Sequence, residues 1–423
     1  MFETKDKKER TILVNFYRKG FDRNTADEHL RELRSLATTA GAEVIETFYQ
    51  EVDQIHPATA IGKGKVEEIV EFMIDKEITS VIFDDDLSPV QKKNLEIKFN
   101  TKVIDRSQLI IDIFSKHAKT IEAKTQVELA QLKYMLPRLT RMWTHLSKQL
   151  GGIGTKGPGE TQIETDRRMI KLRIQKLESK LQVIEIQREQ QRKGRESFSR
   201  FALVGYTNAG KSTLMNCLSQ SEVLVEDKLF ATLDTTVRQF DLPTGKKALI
   251  SDTVGFIRKL PPNLIASFRT TLSEVKEADF ILHVVDISNP FFREHIYIVE
   301  ETLNSLEITN KPIILILNKI DNLTDRSELS YYENEFPDSV PVSAERGINI
   351  SRLLTKMQNK IDESSLIKTL FIPYSDSKNL AKIYQLAEVM DKQDLDDGIE
   401  IKVRFRDEFK SYYENIFFEF EKK

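Results

Sequence analysis

The chain has little sulfur or indole chemistry: Cys217 is its only cysteine and Trp143 its only tryptophan among 423 residues. One thiol closes no intrachain disulfide, and a lone cysteine fits a reducing compartment. The six histidines are scattered without metal-ligand spacing, so they are read as surface or packing residues. Long apolar runs are missing as well. The run Ile313–Leu317 is far short of the roughly 20 residues that span a bilayer, and the first ten residues mix charges of both signs with no signal-peptide core. A cytoplasmic protein with no transmembrane segment is expected. Charge of one sign is absent overall, since 63 Lys and Arg face 66 Asp and Glu. No DNA partner is therefore expected, and the free chain is expected to be monomeric.

What is present is a series of four motifs. The first, Gly205-Tyr206-Thr207-Asn208-Ala209-Gly210-Lys211-Ser212-Thr213, follows the apolar run Phe201–Val204 and opens a helical stretch. Glycines at that spacing let backbone N–H groups curl around phosphate at a helix N-terminus; Lys211 reaches the β- and γ-phosphates, and Ser212 is a Mg²⁺ ligand. Asp252-Thr253-Val254-Gly255 ends a second apolar run, placing Asp252 by the metal's water shell and the Gly255 N–H by the γ-phosphate. Asn318-Lys319-Ile320-Asp321 selects the base, because a carboxylate accepts two hydrogen bonds from guanine that adenine cannot offer. Ser343-Ala344-Glu345 completes the set. In this order the motifs predict a P-loop GTPase taking GTP/GDP with Mg²⁺.

Between the first two motifs, Phe230-Ala231-Thr232-Leu233-Asp234 and the following Thr235 and Thr236 offer three candidates for a switch threonine that closes on Mg²⁺ and the γ-phosphate. Thr232 is preferred, partly on the resemblance drawn below, and it joins Lys211 and Gly255 as a catalytic candidate. The residue after Gly255 is Phe256, which cannot orient a water as glutamine does in Ras-like proteins. Slow intrinsic hydrolysis is expected. Asn208 has two readings, as a helper to a bound K⁺ supplying transition-state charge or as a loop-capping asparagine.

The chain divides into an α/β domain over 1–119, an antiparallel helical hairpin over 120–198, the GTPase domain over 199–362 with a parallel sheet, and a small α+β domain over 363–423. In the first, strands near 11–14, 43–45 and 80–83 alternate with helices near 25–39, 63–75, 88–98 and 107–117. Gly62-Lys63-Gly64-Lys65 reads as a phosphate-binding helix start or as a plain one. In the second, apolar residues recur at helical spacing from Leu132 to Leu150 and from Ile163 to Ile184. The Leu150–Thr161 stretch between them holds five glycines and reads as a tip loop, and Pro137 as a kink in the first arm. Residues 138–200 carry 15 Lys and Arg against 7 Asp and Glu, a basic projection on an otherwise acidic chain. Structured RNA is the expected partner, with Arg138, Arg141, Lys148, Gly151, Gly152, Gly154, Lys156, Gly157 and Gly159 as contacts. In the last domain a helical pattern is read through Ala381–Met390 and a strand over Ile399–Phe405.

The run from Trp143 to Gln162, followed by Glu164-Thr165-Asp166-Arg167-Arg168, resembles the HflX family of ribosome-associated GTPases. Phe230–Asp234, Asp252–Phe256 and Gly62–Ile69 extend the resemblance, while Thr235 departs from it where proline is expected. The resemblance implies an N-terminal domain that binds the large ribosomal subunit, a hairpin tip that reaches its ribosomal RNA, and a GTP-bound form that splits stalled, stressed or dormant ribosomes. It further implies release after hydrolysis stimulated by the large subunit. A signalling adaptor whose hairpin binds a protein is the alternative from another class.

Overall fold

The computed structural model describes residues 9–20, 22–139, 158–192, 198–219, 229–230, 232, 235–261, 273–308, 310–323, 325–364, 366–405 and 420. The chain forms two compact units, one of residues 1–240 and 248–348 and one of 241–247 and 349–423.

The first unit begins with β1 (Arg10–Arg18), α1 (Arg23–Thr39), β2 (Glu43–Val52), α2 (Lys63–Met73), β3 (Ser80–Phe83), α3 (Pro89–Phe99), β4 (Lys102–Ile104) and α4 (Arg106–His117). The strands make a parallel sheet in the order β2-β1-β3-β4. Parallel strands joined by helices must bury both faces, and alternate residues do so here. Leu13, Ile82 and Ile104 pack with Leu33 and Leu36 of α1 and Ile110 and Phe114 of α4. Ile12, Val14, Val81 and Val103 pack on the other face with Ile69 of α2 and Leu95 and Phe99 of α3. Local chemistry fixes the helix starts: Asp22, Ser88 and Asp105 each cap a helix through a side-chain oxygen, Ser88 in a capping box with Gln91. The short β4 has no counterpart in the sequence reading.

Two antiparallel helical arms follow, α5 (Ile121–Met135) and α6 (Pro158–Arg192). Leu129 meets Ile174, Leu177 and Leu181 in the seam, with Leu132, Leu136, Ile170 and Ile184 at its margin. Ion pairs flank it, Lys133 to Glu178 at 2.8 Å, Arg173 to Glu128 at 2.6 Å and Arg188 to Glu122 at 2.6 Å. The sequence places the tip loop out to Thr161, but α6 already starts at Pro158. Proline is well placed there, since its fixed φ and missing N–H suit the first helical position. The tip residues 140–157 lie outside the described residues.

The rest of the unit contains β5 (Ser199–Gly205), α7 (Lys211–Ser219), β6 (Thr236–Asp241), β7 (Lys247–Asp252), α8 (Ser273–Glu277), β8 (Phe280–Asp286), α9 (Phe292–Ser305), β9 (Ile313–Asn318), α10 (Arg326–Glu335) and β10 (Val340–Pro341). The sheet order is β10-β9-β8-β5-β7-β6, and the pairs from β10 through β7 are parallel. β5 and β7 thereby place the first two motifs side by side at their C-terminal ends, where ligands bind in open α/β sheets. β9 brings the third motif to the same rim.

The second unit holds α11 (Ile350–Ser364), β11 (Leu366–Pro373), α12 (Ser377–Leu386), β12 (Ala387–Leu395) and β13 (Gly398–Phe405). The strands are antiparallel in the order β11-β13-β12, and Leu370, Ile372, Ile401 and Val403 pack with Ile383 of α12. The helix expected through Met390 stops at Leu386, and residues 387–390 begin β12 instead. Ala387 and Val389 pack against the strand core, which outweighs their weak helical spacing.

Candidate active site

The loop between β5 and α7 has the shape its sequence predicts. Asn208 and Gly210 adopt positive φ, 62° and 92°, a conformation that asparagine tolerates and glycine takes without penalty. A Cβ on Gly210 would collide with the Asn318 side-chain amide. Lys211 is buried, and its ammonium donates to the Gly205 and Tyr206 carbonyls at 3.2 and 2.9 Å. Burial pulls its pKa down to about 8, against the opposing pull of Asp252 and with a smaller push from Lys319.

Three oxygen-bearing side chains meet one turn further on. The Ser212 hydroxyl lies 2.8 Å from that of Thr232 and donates to Asp252 Oδ2 at 2.5 Å. Asp252 Oδ1 is buried without a hydrogen-bond partner among the described residues, and burial raises the carboxyl pKa against the pull of Lys211. Two hydroxyls beside a carboxylate with an unused oxygen form a hard-oxygen set that fits Mg²⁺ and its waters. Thr235 and Thr236 are half-buried. Ala231, Leu233 and Asp234 lie outside the described residues.

The segment after Asp252 turns back along the P-loop. Thr253 donates to the Leu203 carbonyl at 2.6 Å, and Gly255 sits so close that a Cβ there would stand 2.8 Å from Thr207 Cα and 3.0 Å from Lys211 Nζ. Phe256 points into the core among Ala202, Val204, Ile281 and Val299, so its ring is committed to packing.

Base-end residues are joined to the phosphate end through one amide. Asn318 donates to the Ala209 carbonyl at 2.8 Å, while its Oδ1 accepts the Ala344 N–H at 3.0 Å. Ser343 Oγ accepts the Arg346 N–H at 3.1 Å, which closes the turn that contains Glu345. Lys319, at φ 64°, pairs with Asp286 at 2.8 Å. Asp321 presents a nearly buried carboxylate 3.4 Å from Arg346 Nε. Arg346 escaped the sequence reading, as did Asp286; neither has a motif, and only the closed loop brings them in. A cavity of about 190 Å³ beside the P-loop is lined by Thr207, Asn208 and His283 among others. Thr207 Oγ1 and His283 Nε2 are both buried without hydrogen-bond partners among the described residues. Burial, reinforced by Lys211, holds the histidine pKa down at about 4.

The expected RNA contacts fare differently. Arg138 is committed within the N-terminal part of the unit: its guanidinium lies 3.5 Å from the Tyr134 ring centre, pairs with Asp105 at 3.0 Å and donates to the Leu87 carbonyl at 3.2 Å. Its guanidinium is thus engaged within the protein in the absence of RNA. Gly159 falls in the first turn of α6. Arg141, Lys148, Gly151, Gly152, Gly154, Lys156 and Gly157 lie outside the described residues. At the other phosphate candidate, Gly62 N–H donates to Gln50 Oε1 at 2.9 Å and Lys63 and Lys65 pair with Glu67 and Glu68 along α2, the pattern of a plain helix start. No described helix is long and apolar enough to cross a membrane.

Three family models cover most of the chain: "GTP-binding GTPase N-terminal" over residues 27–115, "GTP-binding GTPase Middle Region" over 117–195 and "50S ribosome-binding GTPase" over 200–319. A GTPase HflX of Flavobacterium psychrophilum is 50% identical over 313 residues, 74% of this chain and 76% of its own. That of Magnetococcus marinus is 44% identical over 94% of this chain and 92% of its own, and that of Escherichia coli 40% identical over 96% and 95%. Among solved structures, a GTP-binding protein of Sulfolobus solfataricus in complex with GDP is 26% identical, covers 82% of this chain and 98% of its own, and has a TM-score of 0.43. With these relatives covering most of the chain, and with the P-loop, the Asp252 segment and the Asn318–Asp321 loop converging on one rim, the chain belongs to the HflX family and is a GTPase.

Proposed function

We propose that this GTPase binds the large ribosomal subunit and, in its GTP-bound form, splits stalled, stressed or dormant ribosomes into subunits, leaving after hydrolysis. The observation that carries the reading is the match of residues 200–319 to a model described as a 50S ribosome-binding GTPase, with the family's N-terminal and middle regions in register before it. The same match favours the ribosome over a protein-binding adaptor.

The site supports a switch. Lys211 and the P-loop amides hold the β- and γ-phosphates, and Asp321 accepts from guanine once Arg346 gives way. Ser212 and Thr232, backed by Asp252, would hold Mg²⁺, which would offset the charge of the phosphates. Thr232 and the Gly255 N–H are the groups that GTP orders and GDP releases. Phe256, packed in the core, offers no hydrogen bond to an attacking water, so turnover by the free protein is slow and depends on a further contribution. The large subunit supplies it by ordering the same loops, with the hairpin tip against its RNA.

The test is GTP hydrolysis with and without purified large subunits, in potassium and in sodium, beside an Asp321→Asn control. Strong stimulation that disappears in the control is expected. No stimulation would return the question to a protein partner, and equal rates in the two salts would leave Asn208 as a loop cap.

A further inference from the structure

The P-loop and the segment after Gly255 are stitched by backbone bonds, Phe256 N–H to the Gly205 carbonyl at 3.0 Å and Thr207 N–H to the Phe256 carbonyl at 2.7 Å. Tyr206 sits at the centre of this stitch. Its carbonyl accepts from Lys211, its ring stacks on His295 with centres 3.8 Å apart, its hydroxyl accepts the Arg258 N–H at 3.0 Å, and the same hydroxyl donates to Glu32 of α1.

Glu32 and Asp84, both from the N-terminal domain, also take the side chain of Arg258. Its Nε lies 2.9 Å from Glu32 and its Nη2 2.7 Å from each Asp84 oxygen. Arg106 completes the cluster, pairing with Glu32, meeting Asp84 at 2.7 Å and donating to the Arg258 carbonyl at 3.1 Å. Two carboxylates and two guanidinia thus meet at the seam between the domains, Asp84 and Arg106 almost wholly buried, with the Lys259 ammonium 3.8 Å from Asp84 on the outer side. Such a cluster tolerates little rearrangement, because Asp84 or Arg106 left unpaired would be a buried charge with no water to turn to.

We propose that Tyr206 and Arg258 are positioning residues through which the Glu32 and Asp84 carboxylates fix the Gly255 N–H over the P-loop, and that this link sets the preference for GTP over GDP. The physical reason is that the Gly255 N–H meets only the γ-phosphate. Loosening the link weakens GTP binding more than the binding of GDP, which never touches Gly255. The inference rests on the assignment of Gly255 given above and is independent of any ribosomal role.

The experiment measures affinities for GDP and a non-hydrolysable GTP analogue, with Mg²⁺, in the full chain and in Tyr206→Phe, Glu32→Gln, their double variant and Gly255→Ala. Tyr206→Phe keeps the ring on His295 and removes only the hydroxyl. Tyr206→Phe and Glu32→Gln are each expected to lower the GTP-to-GDP affinity ratio about 5-fold or more, the scale of ordinary coupling between sites, by weakening GTP more than GDP; Gly255→Ala, whose Cβ would press on Thr207 and Lys211, is expected to lower the ratio and to weaken GDP as well. The double variant is expected to lose less than the sum of the two, since both changes cut the Tyr206–Glu32 bond. Parallel loss of both nucleotides would mean general damage to the P-loop and overturn the proposal, as would an unchanged ratio or additive losses. If Gly255→Ala leaves the ratio unchanged, the assignment of Gly255 itself fails and the proposal with it; if only Tyr206→Phe and Glu32→Gln leave it unchanged, the link alone fails.

Discussion

Lys211 carries a charge that its surroundings make expensive to keep. Buried behind the P-loop with a pKa near 8, it is partly neutral in mildly alkaline solution. A polyphosphate beside it favours the ammonium, so the bound pKa lies above the free one. Nucleotide binding near pH 8.5 should therefore take up a proton, and affinity should fall as pH rises past 8. Calorimetry in two buffers of different ionisation heat measures that uptake, and a binding heat independent of buffer would refute it. At this scale the motif residues were legible because their spacing is set by the ligand. Glu32, Asp84, Arg106 and Arg346 were not: each is an ordinary charge in its own stretch of sequence, and only chain closure over long separations gives it a partner. Arg138, read from local charge density, has Asp105 and the Leu87 carbonyl as partners within the chain, which its sequence neighbourhood does not show.

Among the elements, the hairpin was readable from its apolar spacing, since Ile174, Leu177 and Leu181 lie in the seam with Leu132 and Leu136 at its margin, whereas Leu129, the first-arm residue buried there, lies before the spacing that was read. Truncating the nearly buried Leu177 to alanine should cost about 2–4 kcal/mol. Because the arms are held by one seam, the loss should appear as faster amide exchange along α5 and α6, with GTP affinity unchanged. Equal protection in the variant would mean that the flanking ion pairs hold the arms without the seam. Elements too short to show a period escaped: β4 has three residues, and β6 reads Thr-Val-Arg-Gln-Phe-Asp with only Phe240 fully buried. The overshoot of α12 into β12 has the same origin, since four residues of mixed pattern cannot say where a helix stops.

For the whole molecule, the fold class followed from alternating strand and helix patterns, whereas the seam between the N-terminal and GTPase domains left no trace in either domain's own periodicity. It is part apolar as well as charged: Phe114 of α4 meets Phe230 edge-on at 4.7 Å between ring centres, and Val254 and Ile257 join the same core. Binding to ribosomal RNA through the basic hairpin predicts an affinity for large subunits that falls steeply with salt, with a log–log slope of about −0.7 to −0.9 for each phosphate contact. Sedimentation of the complex across potassium concentrations checks this, and a flat dependence would point to a protein surface on the ribosome.

Asn318 has a further consequence. One side chain holds Ala209 in the phosphate loop and Ala344 in the base loop, so neither half of the pocket is built to shape without the other. Filling one half should then brace the other: guanosine should bind more tightly with tripolyphosphate present than without it, and Asn318→Ala should abolish the difference.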